Sequence, residues 1–447
     1  MKLTIIGGGG FRVPQIFEAI STDGDHARVS ELCLYDVSRE RLNTIFAILE
    51  QLAPTLPNPP KLSYTLDLDD AVRGAAFVFS AMRIGGIDER VLDERTALKL
   101  GVLGQETVGP GGLAYALRTL PHAKHLAERV AALAPEAWVI NFTNPAGIVT
   151  ETMRGALGDR VIGICDTPIG LMRRVVSAIG ARPEDVTFDY VGLNHLGWLR
   201  SIHTDGIDRL PGLIADDSAI STIEEARLMG VDWIRALGAI PNEYLYYYYF
   251  NREATERIRH SVETRGEFLR KQQNSFYNEA HSHPDSALAL WHSTKHDRES
   301  SYMAESRPEK ERNSREQSDV DGGGYQTVAL DLMTGLTTGR ASTMILNVAN
   351  NGIVDGLPDD AVIEVPTTVR EGGLEPHAVA PVRGEMLGLM QQLKASERLI
   401  ISASLERDAT LAWRGFAAHP LVDSVAVARQ LLDDYRSVIP GVAAALD

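Results

Sequence analysis

Two short stretches put reactive side chains where strands open into turns. Cys165 and Asp166 lie in "VIGICDTPIGL" (161–171), and His195 lies 30 residues beyond Cys165 in "GLNHLGW". Singly, a cysteine behaves as a small core residue and a lone histidine as a satisfied structural imidazole. As a pair they could instead supply one sulfur and one nitrogen ligand to a metal. Two ligands are too few for a closed structural zinc site. They leave coordination positions open for substrate oxygens, which Lewis-acid catalysis requires.

A second pattern opens the chain. "IIGGGGFRVP" follows an apolar run directly, so Gly7, Gly8, Gly9 and Gly10 allow a tight turn and a close approach of backbone N–H groups to a pyrophosphate at a helix N-terminus. Val13 stands where a third spaced glycine would complete the usual dinucleotide fingerprint, so the turn alone is equally a ligand-free strand–helix connection. Asp36, 29 residues after Gly7 and at the end of the next apolar run, suits a carboxylate on the ribose hydroxyls of NAD. It would repel a 2′-phosphate and so favours NAD over NADP. Its other reading is a capping residue of the turn.

The elements that must position these groups follow a strand–helix alternation over the first third: strands at 2–8, 31–37, 76–83, "AWVINFT" and "RVIGIC", helices at 13–21, 38–53 with Ser38 as N-cap, "PHAKHLAERVAALAP" and "NPAGIVTETMRGAL". This predicts an α/β fold with a parallel, Rossmann-like sheet over residues 1–170 and ligands at the strands' carboxyl ends. Residues 171–447 read as a larger mixed α/β domain for substrate, metal and oligomerisation. In it, 186–206 alternates as antiparallel strands, 223–275 is largely helical, and "ASTMILNVANNG" and "AVIEVPTTV" are strands. The charged stretch "KHDRESSYMAESRPEKERNSREQSDVDGGG" reads as a mobile surface segment.

Of 447 residues, 60 are acidic and 44 basic, a net charge of −16, which argues against binding nucleic acid or an anionic membrane. One local arginine cluster would still suffice for a small phosphorylated ligand. With two cysteines there is no disulfide framework, and a reducing, cytoplasmic setting is expected. The N-terminus reads as a first strand rather than a signal peptide, and no apolar run is long enough to span a bilayer.

Taken together, "IIGGGG", "DERTALKLGVLGQETVGPGG" (93–112), "NFTNPAG", "GICDTPIGL", "GLNHLGWL", "PNEYLYYYY" and "NVANNG…LPDD", in this order, resemble glycoside hydrolase family 4. These are NAD- and divalent-metal-dependent enzymes that include 6-phospho-β- and 6-phospho-α-glucosidases, an exception to the two-carboxylate scheme of glycoside hydrolysis. The resemblance implies oxidation of the sugar at C3 by NAD, removal of the C2 proton by a tyrosine, elimination at C1, water addition and return of the hydride. It also implies a homodimer or homotetramer. Residue by residue, it implies that Cys165 and His195 are metal ligands, Asp166 the acid assisting the leaving group and Tyr244 the base. It further implies that Arg90, Asn144 and Arg265 position the substrate, and that Gln105 and Glu106 shape the site. Tyr246 to Tyr249 crowd the same segment and read as packing residues.

Where relatives carry G-G-G-S-x-Y-T-P, this chain has "GGGGFRVP", so Phe11 and Arg12 alter the wall near the nicotinamide or the substrate, and Arg12 offers an additional anion contact. An aspartate after the metal-binding cysteine is shared with α-linked members, whereas overall resemblance favours a 6-phospho-β-glucosidase. Thiolate and imidazole suit zinc by softness; manganese is favoured because the remaining ligands would be sugar oxygens. Within the family, the alternatives are the α-linked phosphosugar and an unphosphorylated or uronate sugar. Outside it, they are a malate- or lactate-type dehydrogenase, which needs neither the Cys165–His195 pair nor Tyr244, and a non-catalytic nucleotide sensor.

Overall fold

The computed structural model describes residues 1–23, 28–301 and 324–447. Six strands pair in parallel: β1 (Lys2–Ile6), β2 (Glu31–Tyr35), β3 (Lys61–Thr65), β4 (Phe77–Ser80), β5 (Trp138–Asn141) and β6 (Val161–Gly163), in the spatial order β3-β2-β1-β4-β5-β6. Strands β1 and β4 are almost wholly buried and read as continuous apolar runs, as a sheet covered on both faces requires. The order reverses between β1 and β4, and the crevice at that switch point is where such sheets bind ligands.

The same sheet continues through antiparallel strands. β11 (Ser342–Ala349) joins β6 through the pair Asn347–Gly163, followed by β12 (Val362–Arg370), β7 (Val186–Leu193), β8 (Leu196–Thr204) and β10 (Ile240–Pro241). With β9 (Ile207–Asp208) on β8 and β13 (Gly373–Pro376) on β12, 13 strands are joined among the described residues. The expected boundary near residue 170 therefore falls just after β6, inside a continuous sheet. The chain's end also returns to the first half: Ile400, Phe416, Leu431 and Tyr435 share one apolar core with Ile6, Val78, Val139 and Ile148. Burying that area is the main term holding the two halves together.

Most expected elements are present, including the helix Arg39–Leu52, whose N-cap Ser38 accepts from Arg41 N. Two helices depart from the sequence reading. One runs from Pro110 to Leu133, eleven residues before its expected start, and passes through Pro121. Pro121 is itself exposed, and its missing N–H means that the carbonyl of buried Leu117 cannot make the usual helical bond to it. The other, Gly86–Lys99, has no apolar stripe because its buried face carries Arg90, Asp93 and Glu94. The charged stretch read as a mobile surface segment begins instead inside the helix Ala287–Ser300; its part from 302 to 323 lies outside the described residues.

Candidate active site

The glycine turn is set by its neighbours. The N–H groups of Gly7 and Gly8 donate to Tyr35 O at 2.9 and 2.7 Å. Gly7 has φ +88°, and a Cβ there would stand 2.5 Å from Ala81 O, so glycine is required. Asp36 Oδ2 accepts from Gly9 N and Oδ1 from Ser38 N, each at 3.0 Å. The carboxylate thus braces the turn and holds the amide of Ser38, the N-cap residue of the next helix, while remaining half-buried at the rim.

A cavity of about 2130 Å³, counting space open to solvent, lies at the carboxyl ends of β1, β4, β5 and β6. Gly7, Gly10, Phe11, Arg12, Arg90, Asn144, Cys165, Asp166, His195, Tyr244 and Arg265 all line it. Gly8, Gly9 and Asp36 form the turn behind it and are not part of the lining.

Cys165 follows β6, and Asp166 is the N-cap residue of the helix Thr167–Ala178. The two side chains approach to 4.0 Å. Burial, then the negative fields of Asp166 and Glu364, pushes the Cys165 thiol well above its ordinary range. His195 sits with Asn194 at the turn between β7 and β8 and has φ +64°, a left-handed conformation uncommon outside glycine. Its ring stacks on Tyr244 at 3.7 Å and 5° between planes. Burial lowers the imidazole to about 4, despite Asp166 and Glu106 nearby, so it is neutral with a lone pair to give.

Tyr244 stands in the single turn Glu243–Leu245, where its N–H donates to Asn242 Oδ1 at 3.1 Å. Asn242 in turn donates to Tyr190 Oη at 3.2 Å, and Tyr190 donates to Glu364 Oε2 at 3.0 Å. Asn347 donates to Glu364 Oε1 at 3.1 Å. This buried chain ties the β7–β8 hairpin, the Tyr244 turn, β11 and β12 into one frame. At its centre, burial pushes the Glu364 carboxyl up to about 7.

Arg12 reaches Asp166 at 3.7 Å, so the extra cation of the altered loop faces the candidate acid. Arg90 is buried, 3.0 Å from Glu94 and 2.6 Å from Glu106, and Arg83 meets the other oxygen of Glu106 at 2.6 Å. Burial would raise the Glu106 carboxyl, but Arg83, Arg90 and Arg298 hold it down at about 2. Arg265 begins the helix Arg265–Ser282 and donates to Ser301 O at 2.9 Å and Arg298 O at 3.0 Å. The Asn144 Oδ1 atom is buried without a hydrogen-bond partner among the described residues, as a ligand-facing acceptor would be.

Among the described residues no three His, Cys, Asp or Glu side chains converge on a metal position. The donor set is one thiol and one neutral imidazole beside the Asp166 carboxylate. It fits a divalent cation that takes its remaining ligands from substrate, and such a cation would reverse the upward push on the thiol. Sequence reasoning missed Arg83, Arg298 and Lys295 on the lining and Glu364 behind it. The motif "NVANNG…LPDD" pointed at the strands that carry Asn347 and Glu364 but not at those two residues.

Residues 2–181 match the family model described as family 4 glycosyl hydrolase, and residues 190–422 match its C-terminal domain. A probable 6-phospho-beta-glucosidase of Bacillus subtilis is 30% identical over 97% of this chain and 95% of its own length. The 6-phospho-beta glucosidase of Thermotoga maritima, solved with manganese, NAD+ and glucose-6-phosphate, superposes with a TM-score of 0.80 at 28% identity, covering 98% of each chain. A 6-phospho-alpha-glucosidase from gut microorganisms, solved with NAD and glucose-6-phosphate, gives 0.83 at 27% identity over 99% of this chain and 98% of the other. The chain belongs to glycosyl hydrolase family 4.

Proposed function

We propose that this glycoside hydrolase cleaves 6-phospho-β-glucosides with NAD and a divalent cation, manganese by preference. The observation that carries the reading is the meeting of the glycine turn, Cys165, His195, Asp166 and Tyr244 on one cavity. The relatives solved with NAD, manganese and glucose-6-phosphate support the same ligands here.

When bound, the cofactor supplies a hydride acceptor and the cation a Lewis acid, which together make a C–H beside an oxidised carbon acidic. The chain's own residues do the rest. The tight turn of Gly7 to Gly10 lets the pyrophosphate approach the N-terminus of the helix that follows, with Phe11 and Arg12 as the wall beyond it, and Asp36 holds the adenosine ribose. Cys165 and His195 hold the cation. Tyr244 takes the C2 proton on its phenolate oxygen; an isolated phenol has a pKa of about 10, so it needs positive charge close by. Asp166 delivers a proton to the departing glycosidic oxygen, and Arg12 beside it responds to its change of charge. Asn144, Arg90 and Arg265 position the sugar. The working state is a cytoplasmic homodimer or homotetramer; no helix among the described residues is long and apolar enough to cross a membrane.

The Cys165–Asp166 pair favours one second reading, the α-linked phosphoglucoside, and one experiment separates the two. Chromogenic 6-phospho-β- and 6-phospho-α-glucosides are offered with NAD and Mn²⁺, then after EDTA or cofactor removal. Turnover of the β-substrate that stops on either removal is expected. Turnover surviving both removals would overturn the mechanism, and preference for the α-substrate would reverse the anomer.

A further inference from the structure

Glu364 is fully buried on β12, and among the described residues no cation stands within ion-pair distance of it. Other buried carboxylates of the molecule have one. Asp93 meets Arg118 at 2.7 Å, Glu94 meets Arg90 at 3.0 Å and Glu397 meets Lys394 at 2.5 Å. Glu364 has only neutral donors: the Tyr190 hydroxyl at 3.0 Å on Oε2 and the Asn347 amide at 3.1 Å on Oε1. The Asn194 side chain faces it as well, with Nδ2 buried and making no closer bond among the described residues. Two of these donors depend on a glycine. A Cβ on Gly197 would stand 2.2 Å from Tyr190 Oη, and one on Gly163 would stand 2.7 Å from Asn347 Cβ. A carboxylate enclosed this closely without a counter-ion costs the fold stability, and a cation bound nearby would offset that cost.

The groups around Glu364 lead to the candidate cation site from three sides. Asn194 directly precedes His195, whose backbone is held at φ +64°. Tyr190 accepts from Asn242, which in turn fixes the Tyr244 N–H. Asn347 pairs across the sheet with Gly163, two residues before Cys165. The negative field of Glu364 reaches the Cys165 sulfur. A dication held by a Cys165 thiolate and a neutral His195 keeps one positive charge unmatched. Asp166 is already faced by Arg12 at 3.7 Å. Glu364 supplies the missing negative charge from behind the two ligands, where carboxylates orient first ligands and tune the metal they hold.

We propose that Glu364 is the outer-sphere counter-ion of the cation site: its carboxylate raises affinity for the dication and, through Asn194 and the Tyr190–Asn242 chain, keeps His195 and Tyr244 in register. This rests on the reading of Cys165 and His195 as cation ligands. The test is calorimetric titration of metal-free, NAD-loaded enzyme with Mn²⁺, beside thermal unfolding of the metal-free protein. Glu364→Gln keeps the shape and one acceptor oxygen, and its new amide N–H can meet the buried Asn347 Oδ1, which has no partner among the described residues. It weakens Mn²⁺ binding by about 10- to 100-fold, leaves NAD affinity within about twofold and does not lower the metal-free melting temperature. Glu364→Asp keeps the charge but draws it back from Tyr190, so Mn²⁺ affinity stays within about threefold while kcat falls about 10-fold.

Wild-type Mn²⁺ affinity in Glu364→Gln, with a lowered melting temperature, would make Glu364 a packing residue and overturn the proposal. Equal loss of Mn²⁺ affinity in both variants would assign the effect to shape and overturn it as well. If Glu364→Gln fails to fold, Glu364→Asp decides alone. Retained Mn²⁺ affinity with reduced kcat supports the outer-sphere role, and loss of both, or of neither, ends it. Wild-type protein that binds no Mn²⁺, or Cys165→Ser that binds it as tightly as wild type, would instead sink the ligand reading. That result is distinct from a Mn²⁺-binding enzyme indifferent to Glu364.

Discussion

Cys165 and Glu106 are both buried acids on the same cavity, and burial leaves them in opposite states. Around Cys165 there is no fixed cation in hydrogen-bond contact among the described residues, and the thiol is pushed well above its ordinary range. Its neighbour His195 is driven down to about 4 and so is also neutral. Around Glu106, two arginines at 2.6 Å overcome desolvation and fix the negative charge. One wall is therefore poised to change protonation when a cation or substrate arrives. The other is a permanent charged mould. The first suits proton transfer and metal binding, and the second suits holding a polar sugar in register.

The sharpest way to break this contrast is on the neutral wall. Cys165→Ser is expected to lower metal-dependent turnover by about 10,000-fold, because several kcal/mol of Lewis-acid assistance depend on holding the cation. NAD binding should persist, as read by titration calorimetry. Turnover within a few-fold of wild type would mean that the thiol is only packing. Tyr244→Phe keeps the stack on His195 but removes the proton acceptor, so kcat should fall about 100- to 1,000-fold. Exchange of the C2 proton with solvent deuterium should fall with it. If C2 exchange continues at the wild-type rate, another group is the base.

The two walls also differed in how well the sequence displayed them. Cys165, His195 and Tyr244 are scarce residue types at strand ends or in long motifs, and the resemblance supplied their roles. The parallel half of the sheet was readable because its strands are short apolar runs separated by helices. The charged wall was hidden. The helix Gly86–Lys99 buries Arg90, Asp93 and Glu94, which erases the apolar period that reveals a helix. Arg298 lies in a run of charges that reads as solvated surface, and contacts distant in sequence, Trp291 with Phe11 and Arg265 with the Arg298 carbonyl, bring it to the cavity. Glu364 was invisible for a related reason: a carboxylate in "AVIEVP" gives no sign that Tyr190 and Asn347, distant in sequence, will enclose it.

On the charged wall the expected losses are of stability before chemistry. Glu106→Gln leaves half-buried Arg83 against a neutral amide and buried Arg90 with Glu94 as its remaining counter-ion, and should cost about 1–3 kcal/mol, measured by denaturant unfolding. The pH dependence has a definite sign. Because the Glu106 carboxyl is depressed from 4.5 to about 2, its contribution is complete above pH 4.5 and is lost as pH falls through about 2. Wild type and Glu106→Gln should therefore converge in stability towards the acid end of that window. A gap that stayed constant from pH 7 to pH 2 would show that Glu106 acts by shape and not by charge.

The smallest expected effect lies at the rim, where Asp36 combines the two behaviours. It is a charged acid, yet its partners are backbone amides, Gly9 N and Ser38 N, each at 3.0 Å. Asp36→Asn keeps the shape and one acceptor oxygen, so the turn and the helix cap should survive with little change in melting temperature. What is lost is one charge-assisted bond to the ribose, expected to weaken NAD about 10-fold. The same change removes the repulsion of a 2′-phosphate. Arg41 is already at hand: its Cβ would lie 2.8 Å from a Cβ placed on Gly9, on the same side as the Asp36 carboxylate. NADP should therefore bind Asp36→Asn more tightly than it binds wild type while NAD binds more weakly. Parallel weakening of both cofactors would instead mark Asp36 as a brace of the glycine turn alone.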